Sequence, residues 1–322
     1  MMFGTNSKAV RFTGRWNVTD KQAVTTAPGG VIEIAYYGCG AVLHFDVSTN
    51  TNPLPHLWII VDDGAKTEVP LAQYLRVEAN NVGNHIIKII FKSAVEMQHR
   101  WHQPLIGKVS FCGFEADKEG ILPEDNRKTI EFIGDSITEG VLVDVEYDPQ
   151  KLDQPNRVYQ DDVTATYAYL TAEAYNLKPV IMGYGAVGIT CSGQGAVPKV
   201  AEAYPYYYHN TPMKSLNADY IVINHGTNDG LATAEEFVDG YIQLLKLIRS
   251  RNPQSKIAVI IPFYGRFRDE FIEFIPNFNK ENEDNLFLVD TYGWLPKEPV
   301  HPSRDGHKYA SLKLIEALRD WI

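Results

Sequence analysis

The chain has 322 residues, of which 44% are hydrophobic and 22% are charged, and its formal net charge is −10. This composition is typical of a soluble globular protein and excludes a disordered or fibrous chain. The excess of acidic residues, without a clustered basic footprint, excludes a nucleic-acid partner. A chain of this length has room for two hydrophobic cores, because domains usually contain about 100–200 residues.

The three cysteines, Cys39, Cys112 and Cys191, are odd in number and widely separated, which favours free thiols over a disulfide framework. No apolar stretch approaches the roughly 18 residues of a membrane span, so we expect no membrane partner. The N-terminus has no apolar segment of the kind found in secretory signals. We therefore expect a cytoplasmic protein, and a secreted one only if a leader has been removed.

The N-terminal third of the chain contains short runs of β-branched and aromatic residues. Six of them have the length of strands: 31–37, 41–47, 57–61, 74–78, 85–91 and 108–111. Compositions typical of turns separate them, among them Gly38-Cys39-Gly40 and the asparagine-rich segment 80–84. Strands at this spacing predict an antiparallel β-sandwich of the jelly-roll type, which we place at residues 1–118.

The pattern changes after a polar segment at residues 119–128, which we interpret as a linker. From 129 to 322, strand patterns alternate with helix patterns, as in a three-layer α/β/α domain of the flavodoxin-like type with a parallel sheet. The predicted strands are 129–134, 179–182, 219–224, 256–261 and 285–290, and the predicted helices are 162–176, one that begins at Thr233 and one that begins near Asp305. The polar stretch 141–161 is predicted to be an insertion, as a lid or a rim.

The first chemical signal is Gly134-Asp135-Ser136, at the end of the first predicted parallel strand. A serine on such a turn exposes its hydroxyl, and its N–H is free to bind a developing oxyanion. Ser136 is therefore the candidate nucleophile. In isolation, a Gly-Asp-Ser sequence more often caps a turn or a helix, so the assignment depends on matching signals later in the chain.

The second signal, Gly183-Tyr184-Gly185-Ala186-Val187-Gly188, matches the Gly-x-Gly-x-x-Gly fingerprint of dinucleotide-binding proteins. A nucleotide-binding oxidoreductase is thus an alternative. Two features of that fingerprint are missing here: it should open the first βαβ unit, and it should lead to a strand that ends in an acidic residue. In a different interpretation of this loop, Gly185 can present its backbone N–H to an oxyanion, because it has no side chain in the way.

The third and fourth signals come after later strands. Asn228, in Gly226-Thr227-Asn228-Asp229, can donate its amide to the same oxyanion, whereas the nearby His225 is more often structural than basic in such a place. His301, between Pro299 and Pro302, can act as a general base if an acceptor holds its other ring nitrogen, and Glu298 is the nearest candidate. Because the carboxyl ends of parallel strands meet at one edge of a sheet, we expect these signals to converge.

The order and spacing of Ser136, Gly185, Asn228 and His301 resemble those of the SGNH hydrolases, also called GDSL esterases. Segment 10–16, Val-Arg-Phe-Thr-Gly-Arg-Trp, joined to segment 131–138 around Ser136, resembles the two-domain arrangement of carbohydrate esterase family 2, whose members remove acetyl groups from sugars such as acetylated xylan. The resemblance implies that Ser136 attacks the ester, that His301 takes its proton, and that Ser136, Gly185 and Asn228 form the oxyanion hole.

One position departs from the pattern of the superfamily, which has an aspartate three residues before the histidine, where this chain has Glu298. A glutamate can still reach the imidazole, and Asp290 is a second candidate. Members of the family that lack the acid are thought to orient the histidine with backbone carbonyls. A Ser-His-Glu triad and a Ser-His dyad are therefore both open.

For the substrate we expect an acylated carbohydrate or another small ester. The aromatic cluster Tyr204–Tyr208, in particular Tyr207, and Trp294 are candidate sugar-stacking surfaces. No metal-ligand spacing occurs, and we expect neither a metal nor a cofactor. The alternatives are an esterase, lipase or thioesterase for non-carbohydrate esters, and an inactive carbohydrate-binding protein. The sequence makes no prediction of the oligomeric state.

Overall fold

The computed structural model describes residues 1–144 and 157–322. Within these ranges the first part of the chain forms an antiparallel sheet of ten strands. The strands are β1 (Met2–Phe3), β2 (Val10–Thr13), β3 (Asn17–Val18), β4 (Ala23–Thr25), β5 (Val31–Phe45), β6 (His56–Val61), β7 (Thr67–Pro70), β8 (Tyr74–Ser93), β9 (Val109–Glu115) and β10 (Lys118–Glu119). The main path runs β3-β4-β9-β5-β8-β6-β7, and the sheet encloses an apolar core of its own. The predicted β-sandwich is confirmed.

Two of the predicted turns lie inside long strands. β5 continues through Gly38-Cys39-Gly40 and β8 continues through residues 80–84, because these two strands pair with each other along most of their length. The register shifts between Gly38 and Gly40, where Gly38 has a φ of 147° that favours glycine. The glycines therefore mark a β-bulge rather than a chain reversal.

The second part of the chain forms a five-stranded parallel sheet. Its strands are β11 (Thr129–Gly134), β12 (Lys178–Gly183), β15 (Tyr220–Asn224), β16 (Lys256–Ile260) and β17 (Phe287–Val289), in the order β12-β11-β15-β16-β17. A separate hairpin contains β13 (Tyr206–Tyr208) and β14 (Thr211–Pro212). All five predicted parallel strands are present, and the α/β prediction is confirmed. Since β11 lies between β12 and β15, the turn at its carboxyl end opens at the middle of the sheet.

The helices that accompany this sheet are α1 (Ser136–Glu139), α2 (Arg157–Gln160), α3 (Tyr167–Ala174), α4 (Val200–Ala203), α5 (Ala234–Arg251), α6 (Arg268–Asn282) and α7 (Arg304–Leu318). The capping box predicted at Thr233 and Glu236 is formed at the start of α5. The last helix, predicted to begin near Asp305, begins at Arg304 with Ser303 as its N-cap. No helix within the described ranges is long and apolar enough to cross a membrane.

The two sheets share their buried surface. Val31 and Ile90 from the first sheet pack into the apolar core on one face of the parallel sheet, and Val24 and Trp101 pack into the core on the other face. A buried ion pair also joins the two parts, between Arg15 and Glu131, with 2.8 Å between nitrogen and oxygen. The exact boundaries 1–118, 119–128 and 129–322 stay a prediction. Most of the predicted insertion at 141–161 lies outside the described residues, because 145–156 are not among them.

Candidate active site

Ser136 lies where the central strand β11 turns into the short helix α1. The Asp135 side chain caps this helix by accepting a hydrogen bond from the Ile137 N–H at 3.0 Å. Gly134 is required by close packing, since a β-carbon there would lie 2.7 Å from the β-carbon of Thr138. The turn thus fixes Ser136, which is 6% exposed, at the carboxyl edge of the parallel sheet.

His301 approaches Ser136 from the segment that precedes α7. Its Nε2 lies 2.9 Å from Ser136 Oγ, although 165 residues separate the two in sequence. Burial lowers the pKa of His301, and the carboxylate of Glu96 opposes this effect. A neutral imidazole at hydrogen-bond distance from a serine hydroxyl can accept its proton. The structure therefore brings together two of the residues singled out in the sequence.

Asn228 lies beside the same turn, after β15. Its Nδ2 donates to Asp135 Oδ2 at 3.3 Å and to the Val187 carbonyl at 3.1 Å. Burial raises the pKa of Asp135 to about 7, so this carboxyl is not a permanently charged acceptor near neutral pH. Asn228 is thus held against the nucleophile turn and the loop after β12 at once.

The loop after β12 carries Gly185. Asp229 fixes this loop, because its carboxylate accepts from the Ile189 N–H at 3.1 Å and from the Thr190 N–H at 2.6 Å. Burial raises the pKa of the carboxylate of Glu139, the last residue of α1, and the backbone N–H of Gly185 opposes this larger effect by lowering it. The predicted oxyanion donor is therefore close to the nucleophile helix.

The predicted acid partners of His301 lie elsewhere. Glu298 accepts a hydrogen bond from Tyr264 Oη at 2.7 Å in an exposed position, and Asp290 is paired with Arg268 at 2.6 Å. Within residues 1–144 and 157–322, no hydrogen bond joins either carboxylate to His301. In this geometry the Glu298 carboxylate is bonded to Tyr264, and its role as the acid partner of His301 stays a prediction.

The sequence profile of the GDSL-like lipase/acylhydrolase family matches residues 132–309. This segment is more than half of the chain and contains Ser136, Asn228 and His301. The chain belongs to this family. It is accordingly a carboxylic ester hydrolase of the SGNH type. No curated protein sequence matches the chain.

Solved structures of similar fold cover both parts of this GDSL family member. A family two carbohydrate esterase from Cellvibrio japonicus has a TM-score of 0.81 and 19% identity, over 100% of this chain and 98% of that one. An acetyl xylan esterase from Butyrivibrio proteoclasticus has a TM-score of 0.78 and 19% identity, with the same coverage of both chains. A family two carbohydrate esterase from Clostridium thermocellum, in complex with cellohexaose, has a TM-score of 0.78 and 21% identity, over 97% and 98% of the two chains. At this identity the likeness establishes the shared two-part fold.

The dinucleotide alternative does not fit the observed geometry in this family member. After the Gly183–Gly188 segment the chain forms a loop held by Asp229 and a 3-10 helix at Gln194–Ala196, where a dinucleotide site would have a long helix. His225 is fully buried, which lowers its pKa to about 4 and removes it from contact with a substrate. This burial agrees with the interpretation of His225 as a structural residue.

The candidate aromatic residues have mainly packing contacts. Tyr207 is half-buried against the core of the parallel sheet, and Trp294 is half-buried near Phe263, with 6.4 Å between ring centroids. Within the same cluster, the Tyr204 hydroxyl donates to Glu131 at 3.1 Å, which is a structural role. A sugar-stacking role for Tyr207 and Trp294 stays a prediction.

Sequence reasoning missed the charged residues that surround the turn. Glu96 and Arg100 come from the β-sandwich, and Arg157 from the segment after the undescribed residues. Each is paired: Arg157 with Glu96 at 2.7 Å, and Arg100 with Glu139 through both of its terminal nitrogens. No local pattern could have indicated them, because they act across the contact between the two sheets.

Proposed function

We propose that this chain removes acetyl or other short acyl groups from carbohydrates by a serine mechanism. The observation that carries the proposal is the 2.9 Å contact between His301 Nε2 and Ser136 Oγ at the carboxyl edge of the parallel sheet. The extended likeness to carbohydrate esterases, over 97–100% of the chain, supports a carbohydrate as the alcohol part of the ester.

In the proposed reaction, Ser136 Oγ attacks the acyl carbonyl carbon while His301 Nε2 takes the hydroxyl proton. The carbonyl oxygen becomes an oxyanion. When the tetrahedral intermediate collapses, the bond to the sugar oxygen breaks and His301 returns its proton to that oxygen. Water then attacks the acyl-enzyme, again with His301 as base, and the carboxylic acid leaves.

The oxyanion would be bound by the N–H of Ser136, the N–H of Gly185 and the side-chain amide of Asn228. In this state the Asn228 amide has two protein partners, the Asp135 carboxyl and the Val187 carbonyl. These contacts keep Asn228 close to the turn that carries Ser136 before the substrate arrives. Each donor of this kind is typically worth about 2.7–4 kcal/mol of barrier.

We infer that Ser136 and His301 act as a dyad. Glu298 is engaged by Tyr264 and Asp290 by Arg268, which leaves neither carboxylate bonded to the imidazole in the described residues. His301 is partly buried and lies in the proline-rich segment 296–302. In a dyad, the imidazolium that forms during the reaction is stabilised by its surroundings rather than by one hydrogen-bonded carboxylate.

The test is acetate release from acetylated xylo-oligosaccharides, with p-nitrophenyl acetate and a long-chain p-nitrophenyl ester assayed in parallel. We expect activity on the first two, and a loss of at least about 1,000-fold in Ser136→Ala, because removing a nucleophile leaves only the residual effect of binding and the oxyanion hole. Ser250→Ala, on the exposed face of α5, is the matched control and should keep wild-type activity. Unchanged activity in Ser136→Ala would refute the mechanism, and preference for the long acyl chain would move the substrate to lipids.

A further inference from the structure

The loop between β8 and β9, residues 94–108, leaves the β-sandwich and packs on the hydrolase part of the chain. We call it the 94–108 loop. Trp101 and Leu105 enter the core on one face of the parallel sheet. The Arg100 N–H donates to the Gly195 carbonyl at 3.0 Å, and the His209 N–H donates to the Trp101 carbonyl at 3.0 Å. The loop is therefore fixed by the hydrolase part along much of its length.

This loop contacts the two elements that carry the proposed nucleophile and an oxyanion donor. Arg100, which is fully buried, binds the Glu139 carboxylate at the end of α1. Glu96 lies directly on Gly185, since a β-carbon at Gly185 would overlap the Glu96 carboxylate and lie 2.8 Å from the Glu96 β-carbon. The absence of a side chain at Gly185 is thus required by Glu96.

Glu96 is itself held in place. Its carboxylate accepts from the Arg157 guanidinium at 2.7 Å, and both side chains are mostly buried, at 14% and 9% exposed. A charge-assisted pair with this degree of burial restricts both side chains more than an exposed pair does. Glu96 therefore has a fixed position over the loop that carries Gly185.

We propose that Glu96 is a positioning residue of the esterase site, supplied by the β-sandwich part of the chain: held by Arg157, it fixes the backbone at Gly185 and places a negative charge near His301. The proposal rests on the proposed function and adds to it a residue that does not touch the reacting atoms. It also makes the β-sandwich a part of the catalytic site.

Ser136 from α1 contacts His301 directly. Three further groups are close enough to interact with its charge: Glu96 from the 94–108 loop, Arg157 from α2 and His307 from α7. Glu96 raises the pKa of His301, whereas burial and Arg157 lower it. His307 is buried, and its pKa is lowered to about 3, so it stays neutral while His301 titrates. Removing the charge of Glu96 should therefore lower the pKa of His301, because the effect of Arg157, which keeps its contact with Asp161 at 3.4 Å, is then no longer opposed by Glu96.

The first measurement is the pH profile of kcat/KM on p-nitrophenyl acetate for wild type and Glu96→Gln. The variant keeps the shape of the side chain and loses its charge. We expect its acid limb to move to lower pH, since an imidazole with a lower pKa stays neutral in more acidic solution. Glu78→Gln, which removes an exposed carboxylate on β8, is the matched control and should keep the wild-type profile. An acid limb of Glu96→Gln that coincides with that of wild type would overturn the electrostatic part of the proposal.

The second measurement uses the close approach of Glu96 to Gly185. Gly185→Ala should lower kcat by roughly a hundredfold, because a misplacement of about 1 Å in a catalytic site has an effect of that size. Glu96→Gly removes both the carboxylate and the β-carbon that would lie within 3 Å of the new methyl group. If Glu96 positions this loop, Gly185→Ala with Glu96→Gly should recover at least about tenfold of kcat over Gly185→Ala alone, with thermal unfolding used to verify that all variants are folded.

A double variant no more active than Gly185→Ala would refute the positioning role. The proposed function fails in a different way, since wild type would then hydrolyse none of the esters and Ser136→Ala would change nothing. If the wild-type activity depends on Ser136 but does not change when Glu96 is replaced, the proposed function is retained and only this inference is overturned.

Discussion

The buried pair between Arg15 and Glu131 gives a prediction about stability. The exposed fractions of the two side chains are 2% and 0%, and Arg15 also donates to the carbonyls of Tyr204 and Tyr206. Arg15→Met keeps much of the side-chain volume and leaves the Glu131 carboxylate with the Tyr204 hydroxyl as its remaining partner. Breaking a buried pair in this way typically costs about 3–5 kcal/mol. At about 2–4 °C per kcal/mol, the Tm should fall by roughly 6–20 °C.

The pH dependence of the loss of stability in Arg15→Met identifies its cause. Burial raises the pKa of Glu131, and Arg15 opposes that effect, so the pKa must rise further in Arg15→Met. A carboxyl whose pKa is higher in the folded state than in the unfolded state favours folding at low pH, and this contribution disappears as the pH rises through the folded pKa. The Tm deficit of the variant should therefore be larger at pH 8 than at pH 5.

The assay is thermal unfolding followed by circular dichroism at both pH values. Adding Glu131→Gln to Arg15→Met removes the unpaired charge and should recover part of the Tm at pH 8. A deficit that is equal at pH 5 and pH 8, with no recovery in the double variant, would mean that packing rather than charge accounts for the loss.

Three further predictions concern the reaction. Asn228→Ala should lower kcat on p-nitrophenyl acetate by roughly a hundredfold to a thousandfold, the usual effect of losing one oxyanion donor; a change in KM alone would contradict this role. Because burial lowers the pKa of His301, the acid limb of wild-type kcat/KM should lie below pH 6.5, and a limb above that value would show that the neighbouring carboxylate dominates. Glu298→Gln and Glu298→Ala should both keep near-wild-type kcat if His301 works in a dyad, whereas a loss of about 1,000-fold or more in both would restore the triad.

The parts of the site that could be predicted are those set by local sequence. The run 129–134 and the turn after it placed Ser136 at a strand end, and the rule that parallel strands end at one edge brought His301 and Asn228 to the same place. The capping box at Thr233 likewise predicted the start of α5, because both of its partners lie within one helical turn.

Other features depend on contacts that local patterns do not contain. Helix α6 was missed because its N-cap residue, Phe267, gives no side-chain cap and Pro276 lies inside the helix. The bulge at Gly38 had the composition of a turn, and only the pairing of β5 with β8 distinguishes the two. Glu298 had the expected spacing before His301, but Tyr264, from a loop 34 residues away, determines where its carboxylate lies.

The arrangement of charges around Ser136 explains why the two sheets act as one structure. Glu131 lies in the middle of β11 and Glu139 at the end of α1, so the segment that carries Ser136 has a buried carboxylate on each side. A buried carboxylate without a partner is strongly unfavourable. Arg15 matches the first and Arg100 the second, and both arginines belong to the β-sandwich part of the chain. The buried carboxylates of the strand and helix that position the candidate nucleophile therefore have their charged partners only when the β-sandwich is in place.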